Sequence, residues 1–76
     1  MAAAFVLIST DLGCEKDVAQ RLKEIEGVRE AYVTYGLYDI IAKVEAETRE
    51  KVKEIVFSKI RMLDKVRSTL TQVVSE

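Results

Sequence analysis

The spacing of the apolar residues alternates along this chain between the repeat of a β-strand and that of an α-helix. Residues 3–8 form a continuous apolar run, too short for a helix, which predicts a strand buried on both faces. The segment from Ser9 to Gly13 should break this strand, because aspartate and glycine favour turns. From Glu15 the apolar residues follow a helical spacing, and we expect Gly27 to end that helix.

The second half of the chain repeats this alternation. Residues 28–35 are rich in β-branched and aromatic side chains and predict a second strand, and residues 40–46 predict a third. Thr48 is the expected N-cap of a second helix, whose apolar stripe reaches Leu63. Residues 68–74 form the last predicted strand. The predicted order of elements is therefore βαββαβ.

This order is typical of the α+β class with a ferredoxin-like fold. Right-handed crossovers place the first and third strands at the centre of an antiparallel four-stranded sheet, with both helices on one face. The other face is then bare, although the first strand is apolar on both sides and Ile41 points away from the helices. We therefore expect a second copy to cover it in a sheet-to-sheet dimer, similar to a dimeric α/β barrel.

The composition points to self-association as well. The 76 residues predict a single domain, 1–76, of a size at which many proteins need disulfides or metals for stability. Cys14 is the only cysteine and histidine is absent, so neither an internal disulfide nor an ordinary zinc or copper site is expected. With 49% hydrophobic residues, the chain has apolar surface to spare for an interface between copies.

The charge pattern argues against nucleic-acid and membrane partners. Twelve basic and 13 acidic residues are spread along the chain and give a net charge of −1, without the basic stripe of a direct nucleic-acid binder. No apolar run reaches the length of about 18 residues that a membrane span needs. We expect a cytoplasmic protein, and the 33% of charged residues together with the absence of asparagine is compatible with a thermophilic source.

The same composition disfavours catalysis. Without histidine there is no Ser-His or Cys-His pair, and the enzymes of the dimeric α+β-barrel class often use one. Cys14 stands at the start of the first predicted helix, where it is either a reactive thiol or simply a small residue, and the second interpretation is the more ordinary. No glycine-rich phosphate loop is present, and no cofactor is expected. The prediction is a protein that is not an enzyme.

The turn between the second and third strands is the most unusual segment. Tyr32, Tyr35 and Tyr38 are the only tyrosines, and they surround Gly36 and precede Asp39. One interpretation is a hairpin whose tyrosines pack at an interface between subunits. The other is a site where backbone amides and Asp39, which could also accept hydrogen bonds from amides of its own turn, hold a zwitterionic small molecule between subunits. The residues alone leave both interpretations open.

Three segments of the chain together resemble the signature of the Lrp/AsnC effector domain, also called the RAM domain. Gly27-Val28 is similar to that family's glycine-valine pair at the start of the second strand. The run from Gly36 to Asp39 is similar to its glycine-x-tyrosine-aspartate turn, and the run from Val66 to Thr71 to its valine-x-x-threonine-x-threonine ending. Lys65 departs from the pattern, because the family has a glycine before this second valine.

The resemblance implies an amino-acid-binding regulatory module that is not an enzyme and has no helix-turn-helix, since the first strand begins by residue 3. Family members dimerise through their sheets, assemble further into rings that are commonly octamers, and bind amino acids between dimers. Such a module would modulate transcription-related or metabolic partners, among them a full-length regulator of the family. The candidate ligand-binding residues that the resemblance implies are Tyr35, Gly36, Leu37, Tyr38, Asp39, Ser68, Thr69 and Thr71.

Two other functions fit the same order of elements. An ACT-like domain also binds amino acids, but at a glycine in the loop after the first strand, which would be Gly13 here. A purely structural interaction oligomer would keep the fold with a vestigial site. A ligand bound near Gly13 would support the first alternative, and an Asp39→Ala variant with unchanged binding and assembly would support the second.

Overall fold

The computed structural model describes residues 1–75, which form one four-stranded antiparallel sheet and a helical layer on one of its faces. The strand order is β2-β3-β1-β4, so the first and third strands lie at the centre. The predicted βαββαβ ferredoxin-like arrangement is confirmed. Its elements are β1 Ala2–Thr10, α1 Glu15–Lys23, β2 Val28–Val33, β3 Ile40–Ala46, α2 Arg49–Ile55 with a π-helical continuation Val56–Ile60, and β4 Val66–Val73.

Several predicted strand ends were wrong, because pairing between distant strands decides them. β1 does not break after residue 8 but continues to Thr10, since this residue pairs with Val66 at the start of β4. For the same reason β4 begins at Val66 and not at residue 68. β2 ends at Val33, two residues before the predicted end, where its pairing with Ile40 of β3 stops.

The ends of both helices also differ from the prediction. α1 ends at Lys23, so Gly27 does not cap it but lies in the turn into β2 with a φ of +100°. The single second helix that was predicted consists of α2 and a π-helical turn in which the N–H of Arg61 donates to the carbonyl of Val56 (2.9 Å). This wider turn keeps Val56 and Ile60 on the face that packs on the sheet.

The core lies between the helices and the covered face of the sheet. α1 packs mainly on β2, and α2 packs on β3 and β1. Full burial of a leucine or isoleucine side chain contributes about 1.5–3 kcal/mol, so this one layer supplies most of the stability of the chain. The largest fully buried side chains are Val6, Ile8, Val18, Leu22, Ile40, Val44, Val52 and Ile60.

The other face of the sheet is open in the single chain. β1 was expected to be buried on both faces, but the helices cover only one, and Phe5 on the other is 40% exposed. The strand register aligns an apolar row across all four strands on this open face: Tyr32, Ile41, Leu7 and Leu70. Within residues 1–75, no helix is long and apolar enough to cross a membrane.

Candidate ligand-binding site

The predicted turn is a six-residue connection, Thr34 to Asp39, closed by hydrogen bonds between its two ends. The N–H of Thr34 donates to the carbonyl of Asp39 (2.8 Å), and the Thr34 hydroxyl donates to the carbonyl of Tyr38 (3.1 Å). A loop closed in this way holds its tip in a defined position relative to the sheet.

Asp39 joins this loop to the neighbouring strand β1. Its backbone N–H donates to the carbonyl of Ile8 (2.9 Å), and its carboxylate Oδ2 accepts the N–H of Thr10 (2.9 Å). The sequence suggested that this carboxylate could accept amides of its own turn, but its backbone donor lies in another strand. Because Thr10 is buried, this hydrogen bond satisfies a donor that would otherwise lack a partner.

The tip of the loop projects away from the protein. Tyr35 has 105% relative exposure and Leu37 94%, and a Cβ at Gly36 (φ +135°) would have no neighbour within 4 Å. In the part of the chain that the structure describes, the backbone N–H groups of residues 35–38 make no hydrogen bond. Adjacent free N–H groups at an exposed turn can bind a carboxylate, which makes the tip a candidate for anion binding.

The other three predicted residues lie on the edge strand β4. Thr69 and Thr71 pair with Ile8 and Val6 of β1 and therefore share the face that the helices cover. Ser68 pairs with Ser9 and points to the open face, although its surface also reaches the rim of a groove beside the strand.

This groove runs between β4 and the helical segment formed by α2 and its π-helical turn. Its volume is about 710 Å³, and Ser68, Thr69 and Thr71 line one wall. The opposite wall carries Lys53, Val56, Phe57 and Arg61, and the guanidinium of Arg61 lies 4.8 Å from the centre of the Phe57 ring.

Sequence reasoning missed the cationic and aromatic side chains of the helical wall. Lys53, Phe57 and Arg61 follow one another at intervals of four residues, which places them on one side of a helix. That spacing was a usable signal, but it is also the pattern of an ordinary solvated helix face.

The eight predicted residues thus form two separate groups in one chain. The groove is lined by the three residues of β4 and by none of the loop from Tyr35 to Asp39. Both groups are open to a neighbouring molecule. In a single chain the two groups of candidate residues therefore do not form one pocket.

Three other candidate sites were considered from the sequence: the thiol of Cys14, a metal site and the glycine of an ACT-like domain. Cys14 precedes α1, and its thiol is 3.9 Å from the carbonyl of Leu12. Among the described residues, no group of three or more acidic or cysteine side chains is arranged to hold a metal ion. Gly13, the glycine of an ACT-like site, lies in an exposed turn with a φ of +82°, and a Cβ there would meet nothing within 4 Å.

The chain thus combines a ferredoxin-like sheet, one open apolar face and an exposed hairpin tip. The family model described as the Lrp/AsnC ligand binding domain matches residues 3–76. The chain belongs to this Lrp/AsnC family of regulatory, non-enzymatic ligand-binding domains, and its relatives include HTH-type transcriptional regulators.

Individual relatives agree with the family model. An uncharacterised HTH-type transcriptional regulator of Pyrococcus furiosus is 40% identical over 73 residues, which cover 92% of this chain and 49% of the regulator. The chain thus spans about half the length of the curated relatives it matches.

Two solved structures show the same fold over essentially the whole chain. A hypothetical protein of Pyrococcus horikoshii aligns with a TM-score of 0.92 and 37% identity, covering 100% of this chain and 92% of that protein. AsnC of E. coli aligns with a TM-score of 0.90 and 26% identity, covering 99% of this chain and 51% of AsnC.

Proposed function

We propose that residues 1–76 act as one domain that binds an amino acid between copies of the chain and regulates a partner in response. The observation that carries this proposal is the division of the candidate site into an exposed hairpin tip with free backbone N–H groups and a hydroxyl-lined groove beside β4. Each half alone is too open to enclose a small zwitterion. Two halves from different copies would enclose it from opposite sides.

The open sheet face supports a dimer as the basic unit. The row of Tyr32, Ile41, Leu7 and Leu70 crosses the whole sheet and is apolar, apart from one hydroxyl. A two-fold axis through such a row brings each copy's apolar residues onto those of the other. The Tyr32 hydroxyl donates to Glu30 (2.6 Å), and this hydrogen bond together with the carboxylate charge raises the pKa of Tyr32.

Further assembly would follow at the hairpin tips. With the sheets paired, the exposed loops of each dimer remain free to meet the β4 grooves of the next, and repetition closes a ring such as an octamer. A ligand held between dimers contacts both of them and shifts the population toward the ring. The free energy of ligand binding thereby becomes a preference for one state of assembly.

The regulated partner is part of the same proposal. In this proposal the domain acts on transcription through another protein. A full-length regulator of the family presents a similar domain, and its sheet face and hairpin tip could take the place of a second copy. We place this activity in the cytoplasm, where a prokaryotic regulator meets DNA.

Calorimetry against each of the twenty amino acids, with sedimentation in parallel, tests the proposal. We expect at least one amino acid to bind and to raise the mean mass of the assembly. No binding by any of them would reject the proposal. Binding that never changes the assembly would reject the population-shift mechanism.

Two variants at exposed loop tips locate the site. Tyr35→Ala and Leu12→Ala remove side chains of comparable exposure, 105% and 99%, from different loops, and neither change should affect the fold. We expect Tyr35→Ala to weaken ligand binding at least severalfold and Leu12→Ala to leave it unchanged. The reverse result would place the ligand near Gly13, as in an ACT-like domain. Asp39→Asn is preferable to Asp39→Ala as a third variant, because its amide oxygen can still accept the Thr10 N–H.

A further inference from the structure

The groove beside β4 exists because the two helices do not extend over the whole sheet. α2 packs on β3 and β1, which leaves the helix-facing side of the edge strand β4 without full cover. Thr69 and Thr71 on that side are consequently half-buried, although the residues that they pair with on β1, Ile8 and Val6, are fully buried.

The charged residues that line the groove are all cationic. They are Lys53 and Arg61 on the helical wall and Arg67 on β4, in a chain whose net charge is −1. Within residues 1–75, Lys53 and Arg61 form no ion pair. Arg67 has only a weak partner, Asp11, at 4.0 Å with both side chains largely exposed.

A second groove of the same chain does not share this imbalance. It lies on the other side of α2, near Met1 and Thr48, and its lining is mixed. Its charged residues are three glutamates, Glu26, Glu45 and Glu47, and three basic residues, Arg29, Lys51 and Lys59. A smaller groove between α1 and β2 is also lined by cations without an acidic residue, Lys16 and Lys23, but its lining contains neither the arginines nor the threonine hydroxyls of the groove beside β4.

The groove beside β4 also presents groups that can fix an anion in place. The guanidinium of Arg61 lies 4.8 Å from the centre of the Phe57 ring, and stacking on an aromatic ring limits its rotamers. The hydroxyls of Thr69 and Thr71 on the facing wall can donate hydrogen bonds to a carboxylate. The charged donors of the helical wall, Lys53 and Arg61, therefore face the neutral donors of β4 across one space.

We propose that this groove selects a ligand with a second carboxylate, namely an acidic amino acid. The inference rests on the proposed function, because it names the chemical class of the ligand that is bound between copies. The main-chain part of the amino acid would bind the free N–H groups of the neighbouring loop. Its side-chain carboxylate would lie among Lys53, Arg61 and Arg67.

Calorimetry at low salt with glutamate and glutamine, and with aspartate and asparagine, tests the selection. Each pair has nearly the same shape and differs in the charge of the side chain. A charge-assisted hydrogen bond is worth about 1.5–3 kcal/mol, which converts to a preference for the acid of at least about tenfold. The preference should shrink as salt is added, because salt screens exposed charges.

Two variants relate the preference to the groove. Arg61→Gln should reduce the glutamate-to-glutamine ratio of affinities by about tenfold, since it removes one charged donor. Lys59→Gln is the matched control, because Lys59 belongs to the same π-helical segment but lines the other groove. It should leave the ratio unchanged, and circular dichroism checks the fold of both variants.

The outcomes distinguish this inference from the proposed function. If a neutral amino acid binds as tightly as its acidic counterpart or more tightly, the inference is wrong and the proposed function stands. An unchanged ratio in Arg61→Gln also overturns the inference. If none of the twenty amino acids binds, both proposals are wrong.

Discussion

Gly27 and Lys65 occupy equivalent positions in the two halves of the fold. Each follows a helical segment and precedes a Val-Arg pair that begins the next strand. Both backbones are left-handed, with φ values of +100° and +77°. The carbonyl of Gly27 accepts the N–H of Glu45 (2.8 Å), and that of Lys65 accepts the N–H of Asp11 (2.9 Å). The left-handed turn is therefore required at both places, but only one of them has a glycine.

Lys65→Gly should stabilise the protein. A side chain in the left-handed region costs about 1–2 kcal/mol, and glycine removes this cost. The greater freedom of glycine in the unfolded chain opposes the stabilisation by about 0.5–1 kcal/mol. We expect a net increase of about 0.5–1 kcal/mol in the free energy of unfolding, measured with urea at one fixed protein concentration. Lys59→Gly, in a helical backbone, is the control and should lose about 1 kcal/mol.

The converse change, Gly27→Ala, should be strongly destabilising. A Cβ at this position would lie 2.6 Å from Cδ1 of Ile55 and 3.3 Å from the carbonyl oxygen of Glu45, in addition to the left-handed φ. We expect a loss of about 2–3 kcal/mol in the same urea experiment. Gly13→Ala has a similar φ but no neighbour within 4 Å, so it measures the backbone part alone. Equal losses in the two variants would show that the contact with Ile55 has no effect.

At the scale of the elements, the sequence predicted the order of strands and helices because each has its own apolar spacing. It could not predict where strands end, since those limits depend on partners far along the chain. β4 begins at Val66 because Thr10 is available to pair with it. The π-helical turn was also missed, because the apolar stripe of α2 continues through it without a break.

The candidate site was predictable only in part for the same reason. The resemblance indicated the hairpin tip and β4, but the partner of the Asp39 carboxylate, Thr10, lies 29 residues away and has no local signature. The groove depends on β4 lying at the sheet edge, next to a helix that leaves it uncovered. Until these elements are placed together, Lys53 and Arg61 are indistinguishable from solvated helix residues.

The start of α2 depends on a single side-chain cap. The Oγ1 of Thr48 accepts the N–H of Lys51 (3.0 Å), and Thr48 itself has an extended backbone. Thr48→Ala should lower the free energy of unfolding by about 1 kcal/mol, because an N–H at the helix start loses its acceptor. Urea denaturation measures the change. Ser58→Ala, an exposed position in the π-helical segment, is the control, and an equal effect there would contradict a capping role.

At the scale of the whole molecule, the open sheet face exposes apolar side chains that no element of the single chain covers. Phe5, Tyr32 and Leu70 on this face are 40%, 55% and 42% exposed. Lys43 and Glu45 lie beside the apolar row and pair with each other at 3.4 Å, and the carboxylate of Glu30 accepts the Tyr32 hydroxyl (2.6 Å). An interface centred on the apolar row would bury apolar area, while these charged groups already have partners for hydrogen bonding at its side.

Leu70→Glu should therefore separate the proposed dimer without unfolding the chain. Leu70 lies on the edge strand, opposite Leu7, and its exposure means that the glutamate can remain hydrated in a monomer but not in an apolar interface. Sedimentation should change from at least twice the 8.6 kDa of one chain to 8.6 kDa, with an unchanged circular dichroism spectrum. Met62→Glu, an exposed apolar position outside the sheet, should keep the mass of the dimer. If Leu70→Glu also keeps that mass, the copies do not meet through their sheets, and the two halves of the candidate site would have to be joined by a different arrangement of subunits.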